Sequence, residues 1–239
     1  MDARKLGQHT SHRFDDDLEA IRQKLLSAGG LVENQLKDAL SALADCDSAL
    51  AQQVISNDEG VNDLEVEIDQ LCAEVIARRQ PMASDLRLLI AAIKIINDLE
   101  RMGDEAVRIA RMAARLAEVE RKDGRQFEVR HMGEHVRSML RDALDAFARV
   151  DLELAMKVLE EDRVVDKEYA SLTRALITFM MEDPREIPRA LEVQWSARAL
   201  ERIGDRACNI AEYVIYFARG KDVRHHSIEE MRSEIGGYN

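Results

Sequence analysis

Apolar residues recur at helical spacing along almost the whole chain. In the first segment, from Phe14 to about Ala44, they stand three or four positions apart, at Leu18, Ile21, Leu25, Leu36, Leu40 and Leu43. This spacing places one apolar stripe along a helix, and Gly29-Gly30 is its single soft point. The pattern therefore predicts a long first helix.

Similar stripes predict five more helices, separated by residues that end helices. The second is expected to stop before Pro81, the segment Lys122-Asp123-Gly124 closes the first half, and Gly220 ends the last helix. Short connections force successive helices to run antiparallel, so an all-α fold of two tandem three-helix bundles is expected. The five predicted helices cover about 48–79, 84–120, 127–149, 152–181 and 187–219.

An internal repeat supports two similar halves. The sequence LERMGD at 99–104 recurs as LERIGD at 200–205, and subtracting 99 from 200 gives an offset of 101. A weaker echo, one helix earlier, relates 58–62 to 162–166. Duplication is the simplest account, and it predicts a first repeat over 1–122, a second over 123–220 and a polar tail over 221–239.

Composition narrows the class of protein. Only 4% of the residues are aromatic, and the formal net charge is −12, which repels phosphate backbones and anionic lipids, so no nucleic-acid partner is expected. The N-terminus lacks an apolar signal core, and the longest apolar run is too short to span a membrane. A cytoplasmic protein is predicted, which also suits the isolated cysteines Cys46, Cys72 and Cys208.

The repeated signature carries pairs of carboxylates. Glu100 with Asp104, and Glu201 with Asp205, are spaced i and i+4, so each pair lies on one face of its helix. Two like charges at this spacing cost roughly 0.2–0.5 kcal/mol when exposed. The repulsion invites a compensating cation, which is either a metal ion or a neighbouring arginine such as Arg101, Arg108 or Arg202.

Residues of the preceding helix extend each pair into a candidate metal site. The second site is predicted to combine four carboxylates and one amide, Asp162, Asp166, Glu201, Asp205 and Asn209. The first site is its counterpart, Asp58, Asn62, Glu100 and Asp104. Arg108 stands where the second repeat has Asn209, so the second site is expected to hold metal better.

Two further interpretations concern packing. Gly103 and Gly204 weaken a helix by about 1 kcal/mol relative to alanine, and a close helix approach is one reason for keeping a glycine there. Met102 and Trp195 fall at helical positions beside the acidic pairs, and both are assigned to the core.

The doubled signature resembles the PhoU family, whose members carry a LERIGD-like motif in each of two three-helix repeats. The stretches 9–18 and 80–87 also resemble that family's pattern, so the likeness covers nearly the whole chain. The resemblance implies metal ions on the E-x-x-x-D and D-x-x-x-D pairs, with iron in some members and magnesium, manganese or zinc suggested in others.

The same resemblance implies a function and partners. It implies a non-enzymatic regulator that restrains phosphate import and the phosphate-starvation response by contacting the ATPase subunit of a phosphate ABC transporter and a phosphate-sensing histidine kinase. Such a protein reaches the membrane only through its partners. Long amphipathic helices permit a homodimer without requiring one.

Two other classes of function remain open at this point. The metals could serve a metalloenzyme, an oxidase or phosphatase-like hydrolase, because bound metals activate water or oxygen. No general base or nucleophile stands out in the sequence to support that chemistry. The other alternative is a purely structural bundle.

Overall fold

The computed structural model describes residues 12–57, 59–118, 126–224 and 226–236, and statements about the structure refer to these residues. No strand occurs among them, which confirms the all-α prediction. A short 3-10 turn, Pro184–Glu186, precedes α7. The α-helices are α1 (His12–Asp45), α2 (Ser48–Ser56), α3 (Glu59–Arg79), α4 (Ser84–Ala117), α5 (Gln126–Arg149), α6 (Leu152–Glu182), α7 (Ile187–Arg219) and α8 (Ile228–Gly236).

Two predicted elements differ from the structure. The single helix predicted over 48–79 is wrong, because α2 ends at Ser56 and Asn57 forms its C-cap before α3 begins. Asparagine is a poor helix former that favours caps. The polar tail is also more ordered than predicted, since α8 buries Met231 and its Arg232 donates to Glu160 at 2.7 Å.

Some sequence predictions lie outside the described residues. They are the candidate ligand Asp58, the N-terminal part of the family-like stretch at 9–11 and the helix-ending segment at 122–124. The division of the chain at 122 and 123 therefore stays a prediction.

The two repeats share one local turn. Cys46 and Val150 have positive φ, and each is followed by an aspartate that caps the next helix. Asp47 accepts hydrogen bonds from the first backbone N–H groups of α2, and Asp151 accepts one from Leu154 in α6. The same N-cap chemistry at matching points is what a duplicated chain would retain.

The helices pack as two bundles around a continuous core. Helices α1, α2, α3 and α4 pack together, as do α5, α6 and α7, and buried residues of both groups form one apolar cluster. Met102 is fully buried within it, as predicted. Trp195 is 45% exposed, so its assignment to the core is wrong. Helical spacing places it near the apolar stripe, but its ring lines an open cleft between α4 and α7.

Glycines allow α1 and α5 to approach closely. A Cβ at Gly29 would lie 2.6 Å from the Leu144 side chain, and a Cβ at Gly133 would lie 2.3 Å from Leu40. Each helix thus places a leucine against a glycine of the other. Gly29, predicted as a soft point, is a helix-packing position.

The largest helix contact joins α4 and α7, the two helices that carry the signature. Lys94 of α4 lies 5.2 Å from the Tyr213 ring, and Arg115, near the other end of α4, bonds to Glu192. The partners therefore run backward on α7, from 213 to 192, while α4 runs forward from 94 to 115, 21 residues in each case. This antiparallel contact is called the α4–α7 seam below.

The signature glycines lie at the middle of the seam. Gly103 falls between Asp98 and Glu105 on α4, and Gly204 falls between their seam partners, Arg202 and Asn209. A Cβ at 204 would point away from α4 and would meet Val165 and Asp162 of α6 and Val136 of α5 at 3.7–3.9 Å, which is ordinary contact. Close helix approach is therefore not the reason for a glycine at 204.

None of the described helices combines the length and the apolar character needed to cross a membrane.

Candidate functional site

The second repeat brings its carboxylates together across the α6–α7 pair. Asp162 and Asp166 lie one turn apart on α6, and Glu201 and Asp205 lie one turn apart on α7. The Asp162 carboxylate also lies close to Gly204, since its Oδ1 would be 3.9 Å from a Cβ there. We call these four carboxylates the acidic face.

Burial and mutual repulsion act on the acidic face. Burial raises the pKa of Asp162, and the charges of Asp166 and Asp205 raise it further. Burial likewise raises the pKa of Glu201, and the charge of Asp205 raises it further. Burial also raises the pKa of Asp205, and the charge of Asp166 adds to that increase. The folded protein therefore holds these groups closer together than like charges prefer, with Asp162 and Glu201 half-buried and Asp166 and Asp205 exposed.

Protein cations compensate this charge only partly. Arg198 donates to Oε1 of Glu201, and its charge lowers the pKa of Glu201 and Asp205 against the stronger effect of burial. The other oxygen of Glu201, Oε2, is buried and has no hydrogen-bond partner among the described residues. A buried carboxylate oxygen without a partner marks a place where an external cation or water would be stabilising.

The first repeat presents its counterparts with the same exposure but less negative charge. Asn62 on α3 and Asp104 on α4 are exposed and Glu100 is half-buried, as are Asp166, Asp205 and Glu201 in turn, and Asn62 replaces an aspartate. Arg108 does not turn toward these residues; it donates to Glu105 at 3.2 Å, on the side of α4 that meets α7. The sequence predicted the positive charge of Arg108 near the first candidate metal site, but in the structure Arg108 lies at the α4–α7 seam.

Asn209 also belongs to the seam. Its amide Nδ2 donates to Oδ1 of Asp98 at 3.4 Å, across the contact between α4 and α7. The structure therefore joins Asn209 to a carboxylate of the first repeat, rather than placing its amide nitrogen at the acidic face.

The pattern of the PhoU domain matches residues 25–113 and 129–214, one match in each repeat. The chain belongs to the PhoU family. It is 53% identical over 232 residues to the phosphate-specific transport system accessory protein PhoU homolog of Pseudomonas putida, covering 97% of this chain and 91% of that protein.

Two solved PhoU structures agree with this assignment. The crystal structure of PhoU from Pseudomonas aeruginosa matches with a TM-score of 0.85 and 52% identity, covering 87% of this chain and 100% of that one. The phosphate transport system regulatory protein PhoU from Streptococcus pneumoniae matches with a TM-score of 0.81 and 32% identity, covering 88% and 99% of the two chains. These PhoU proteins are named as accessory or regulatory proteins, which confirms the prediction of a non-enzymatic chain.

The metal that the PhoU resemblance implies can be tested against the residues present. All four side chains of the acidic face offer the oxygen donors that hard cations prefer, and Glu201 keeps an unpartnered oxygen. In the described part of the chain no group of three His, Cys, Asp or Glu side chains is arranged so that it could hold a metal ion by itself. The residues thus fit a hydrated ion held by one or two carboxylates, which is how magnesium usually binds.

Two acids at the seam of this PhoU chain, buried Asp98 and half-buried Glu212, were not predicted from its sequence. Asp98 is 9% exposed and bonded to Asn209, and burial raises its pKa while Asn209, Arg206 and Tyr213 lower it. Burial raises the pKa of Glu212 to about 7, an effect that Arg224 opposes. Both acids occur once, outside the repeated signature, so the search for a repeated motif passed over them.

Proposed function

We propose that this protein is a cytoplasmic negative regulator of phosphate uptake and of the phosphate-starvation response. The observation that carries the proposal is the likeness, along nearly the whole chain, to proteins named as accessory to the phosphate-specific transport system. A regulator of this kind acts by docking on other proteins, so the functional surfaces are contact surfaces rather than a catalytic cleft.

The proposed partners are the ATPase subunit of a phosphate ABC transporter and a phosphate-sensing histidine kinase. The surface supports docking, because two methionines protrude almost fully: Met82, 78% exposed between α3 and α4, and Met181, 79% exposed near the end of α6. Methionine is flexible and polarizable, and it is common at adaptable interaction surfaces. The two lie near the N-termini of α4 and α7, which the antiparallel seam places at opposite ends of the molecule.

The acidic face is proposed to hold a divalent or iron-group cation, with magnesium or manganese favoured over zinc by the all-oxygen donor set. One or two of its carboxylates, drawn from Asp162, Asp166, Glu201 and Asp205, would hold the ion together with water. Bound there, the cation would neutralise part of the repulsion on the acidic face and change the charge that a partner meets. Elemental analysis of untagged protein should find metal in wild type and lose it in the double variant Asp162→Ala, Glu201→Ala; equal metal in both would contradict the site.

The regulatory role is tested in cells that lack the gene. Phosphate uptake and a phosphate-starvation reporter should both stay active in high phosphate, and the wild-type gene should restore repression. Repression that persists in the deletion strain would contradict the proposal.

Partner contacts need a separate test. Purified protein should retain the transporter ATPase and the cytoplasmic part of the kinase in pull-downs, and Met82→Glu or Met181→Glu should weaken one of them. Arg130→Glu, at an exposed position on α5, serves as the control. Absence of either complex at every phosphate and metal concentration would overturn the docking proposal.

A further inference from the structure

A cleft opens at one end of the seam, between the C-terminal half of α4 and the N-terminal half of α7. Its volume is about 380 Å³, within the range of small-molecule sites. Five arginines dominate its lining, Arg108, Arg111, Arg115, Arg198 and Arg202, beside Glu105 and Trp195. We call it the arginine cleft.

Carboxylates only partly neutralise the arginine cleft. Glu105, almost fully buried, is shared by two guanidinium groups, Arg108 at 3.2 Å and Arg202 at 3.1 Å. Arg115 pairs with Glu192 at 3.3 Å, and Arg198 pairs with Glu201. Five guanidinium groups therefore face three carboxylates in the described part of the chain, which leaves a local surplus of positive charge.

The arginines remain available to a ligand. Their paired side chains are between 41% and 58% exposed, whereas the three carboxylates are mostly buried beneath them. Arg111 is exposed and has no ion-pair partner among the described residues. The guanidinium groups thus point into solvent while their counter-charges lie behind them, in a protein whose net charge is −12.

We propose that the arginine cleft binds a small oligophosphate anion, either an inorganic chain or the phosphate chain of a nucleotide. Guanidinium groups match phosphate oxygens with paired hydrogen bonds, so several arginines around one cleft favour a ligand with several phosphate groups over a single small anion. The volume of the cleft suits a small molecule better than a peptide segment. Elsewhere the negative field of the protein would repel the same ligand.

Trp195 gives the cleft a flat apolar wall and a built-in probe. It is the only tryptophan in the chain, and its half-exposed ring lines the cleft beside Arg198. A nucleotide base could stack on this ring, whereas an inorganic chain could not, so the two sources of the same phosphate chemistry are distinguishable.

The experiment titrates full-length wild-type protein with inorganic triphosphate and with ATP, both free of magnesium, while following Trp195 fluorescence and heat of binding. Both anions should change the fluorescence, and affinity should fall steeply with salt. Equal affinity for the two anions would assign the ligand as an inorganic chain. Tighter ATP binding that Trp195→Ala abolishes by calorimetry would assign a nucleotide.

Matched variants locate the site. Arg111→Glu leaves no carboxylate unpaired and should weaken triphosphate binding at least tenfold. Arg130→Glu makes the same change of charge at an exposed α5 position outside the cleft, and should weaken it less than twofold. Circular dichroism confirms that both variants are folded, so loss of binding is not loss of structure.

Three outcomes would overturn the proposal. One is the absence of any heat or fluorescence change at millimolar triphosphate in low salt. A second is an equal effect of Arg111→Glu and Arg130→Glu, which would indicate only general electrostatic attraction. The third is tighter binding of a short polyglutamate peptide than of triphosphate, which would indicate a protein partner instead. The binding test uses purified protein alone, so its result is independent of the proposed regulatory role.

Discussion

The two ends of the α4–α7 seam have the same backbone arrangement and different polar residues. At one end Arg111 and Arg115 of α4 face Arg198 and Arg202 of α7 around the arginine cleft. At the other end the N-terminal half of α4 meets the C-terminal half of α7, where Asp98 bonds to Asn209 and where Glu212 lies close enough to be affected by Asp98. One end gathers five arginines around a cleft, whereas the other holds buried Asp98 and half-buried Glu212, with Lys94 over the Tyr213 ring.

A few substitutions at equivalent positions produce this difference. With the offset of 101 between the repeats, Arg108 corresponds to Asn209 and Arg111 corresponds to Glu212. The apolar positions of the signature are kept, so the helices still pack alike. Duplication therefore preserved the packing of α4 against α7, while the polar positions diverged into two different sites.

The largest expected effect comes from Glu105→Gln in the arginine cleft. This change removes the buried carboxylate that Arg108 and Arg202 share, so we expect the free energy of unfolding to fall by about 1–2 kcal/mol. The loss stays moderate because both arginines can turn to water. The same change should strengthen triphosphate binding severalfold, since the cleft gains net positive charge. Urea unfolding and Trp195 fluorescence measure the two effects.

Glu134→Gln is the control for that experiment. It removes an exposed carboxylate that pairs with Arg137 at the same i, i+3 spacing, so stability should change by less than about 0.5 kcal/mol. If Glu105→Gln behaved like this control in both measurements, the arginine cleft would not depend on Glu105.

Glu212→Gln tests the opposite end of the seam through pH. Burial raises the pKa of Glu212 from its ordinary value of 4.5 to about 7 in the folded protein, so folding favours its protonated form. Its contribution to stability is fully present below pH 4.5 and is lost as pH rises through 7. Relative to wild type, the glutamine variant should gain about 1 kcal/mol between pH 5 and pH 8, after allowance for solvent screening.

Thermal or urea unfolding at the two pH values gives this difference directly. Glu229→Gln, at an exposed position on α8, should leave the pH dependence as in wild type. A Glu212→Gln profile parallel to that of wild type would show that Glu212 is ionised in the folded protein at pH 5.

Magnesium should sharpen the contrast between the repeats. At pH 8, magnesium at a few times its dissociation constant should stabilise wild type by about 0.5–1 kcal/mol, because a bound cation offsets repulsion on the acidic face. Asp205→Asn should remove most of this gain, whereas Asp104→Asn, at the equivalent exposed position of the first repeat, should keep it. Differential scanning calorimetry with and without a chelator measures the effect, and equal losses in the two variants would contradict an asymmetric site.

The smallest expected effect lies at the middle of the seam. Gly204→Ala adds a methyl group that meets only ordinary contacts, so the better helix propensity of alanine should raise stability by about 0.5 kcal/mol. Gly30→Ala, where no atom lies within 4 Å of the added Cβ, provides the reference for propensity alone. Destabilisation by Gly204→Ala alone would restore a steric reason for the glycine.

Periodicity predicted most of the fold, because each long helix carries its own apolar stripe. It missed the break between α2 and α3, where the polar residues around Asn57 end one helix without a proline or a glycine pair to mark the end. It also placed Trp195 in the core. Spacing along one helix shows which residues share a face, but it does not show where the neighbouring helices stop covering that face.

The candidate sites were predictable to different extents. Carboxylates spaced i and i+4 in a repeated motif can be recognised within one helix, so Glu201 and Asp205 were found from sequence. The arginine cleft needs the antiparallel register of α4 and α7, which brings Arg111 and Arg202 to one place although they are far apart in sequence. A search for local sequence motifs cannot detect a contact that depends on that register.

The seam can also be described as the interface of a homodimer whose two subunits have been joined into one chain. In a true dimer of identical halves the interface is isologous, so both of its ends must carry the same residues. Any arginine added at one end would appear at the other, and an arginine cleft at one end could not coexist with a contact between aspartate and asparagine at the other. Fusion of the halves removes that constraint, and it allows a symmetric backbone to present two chemically different surfaces.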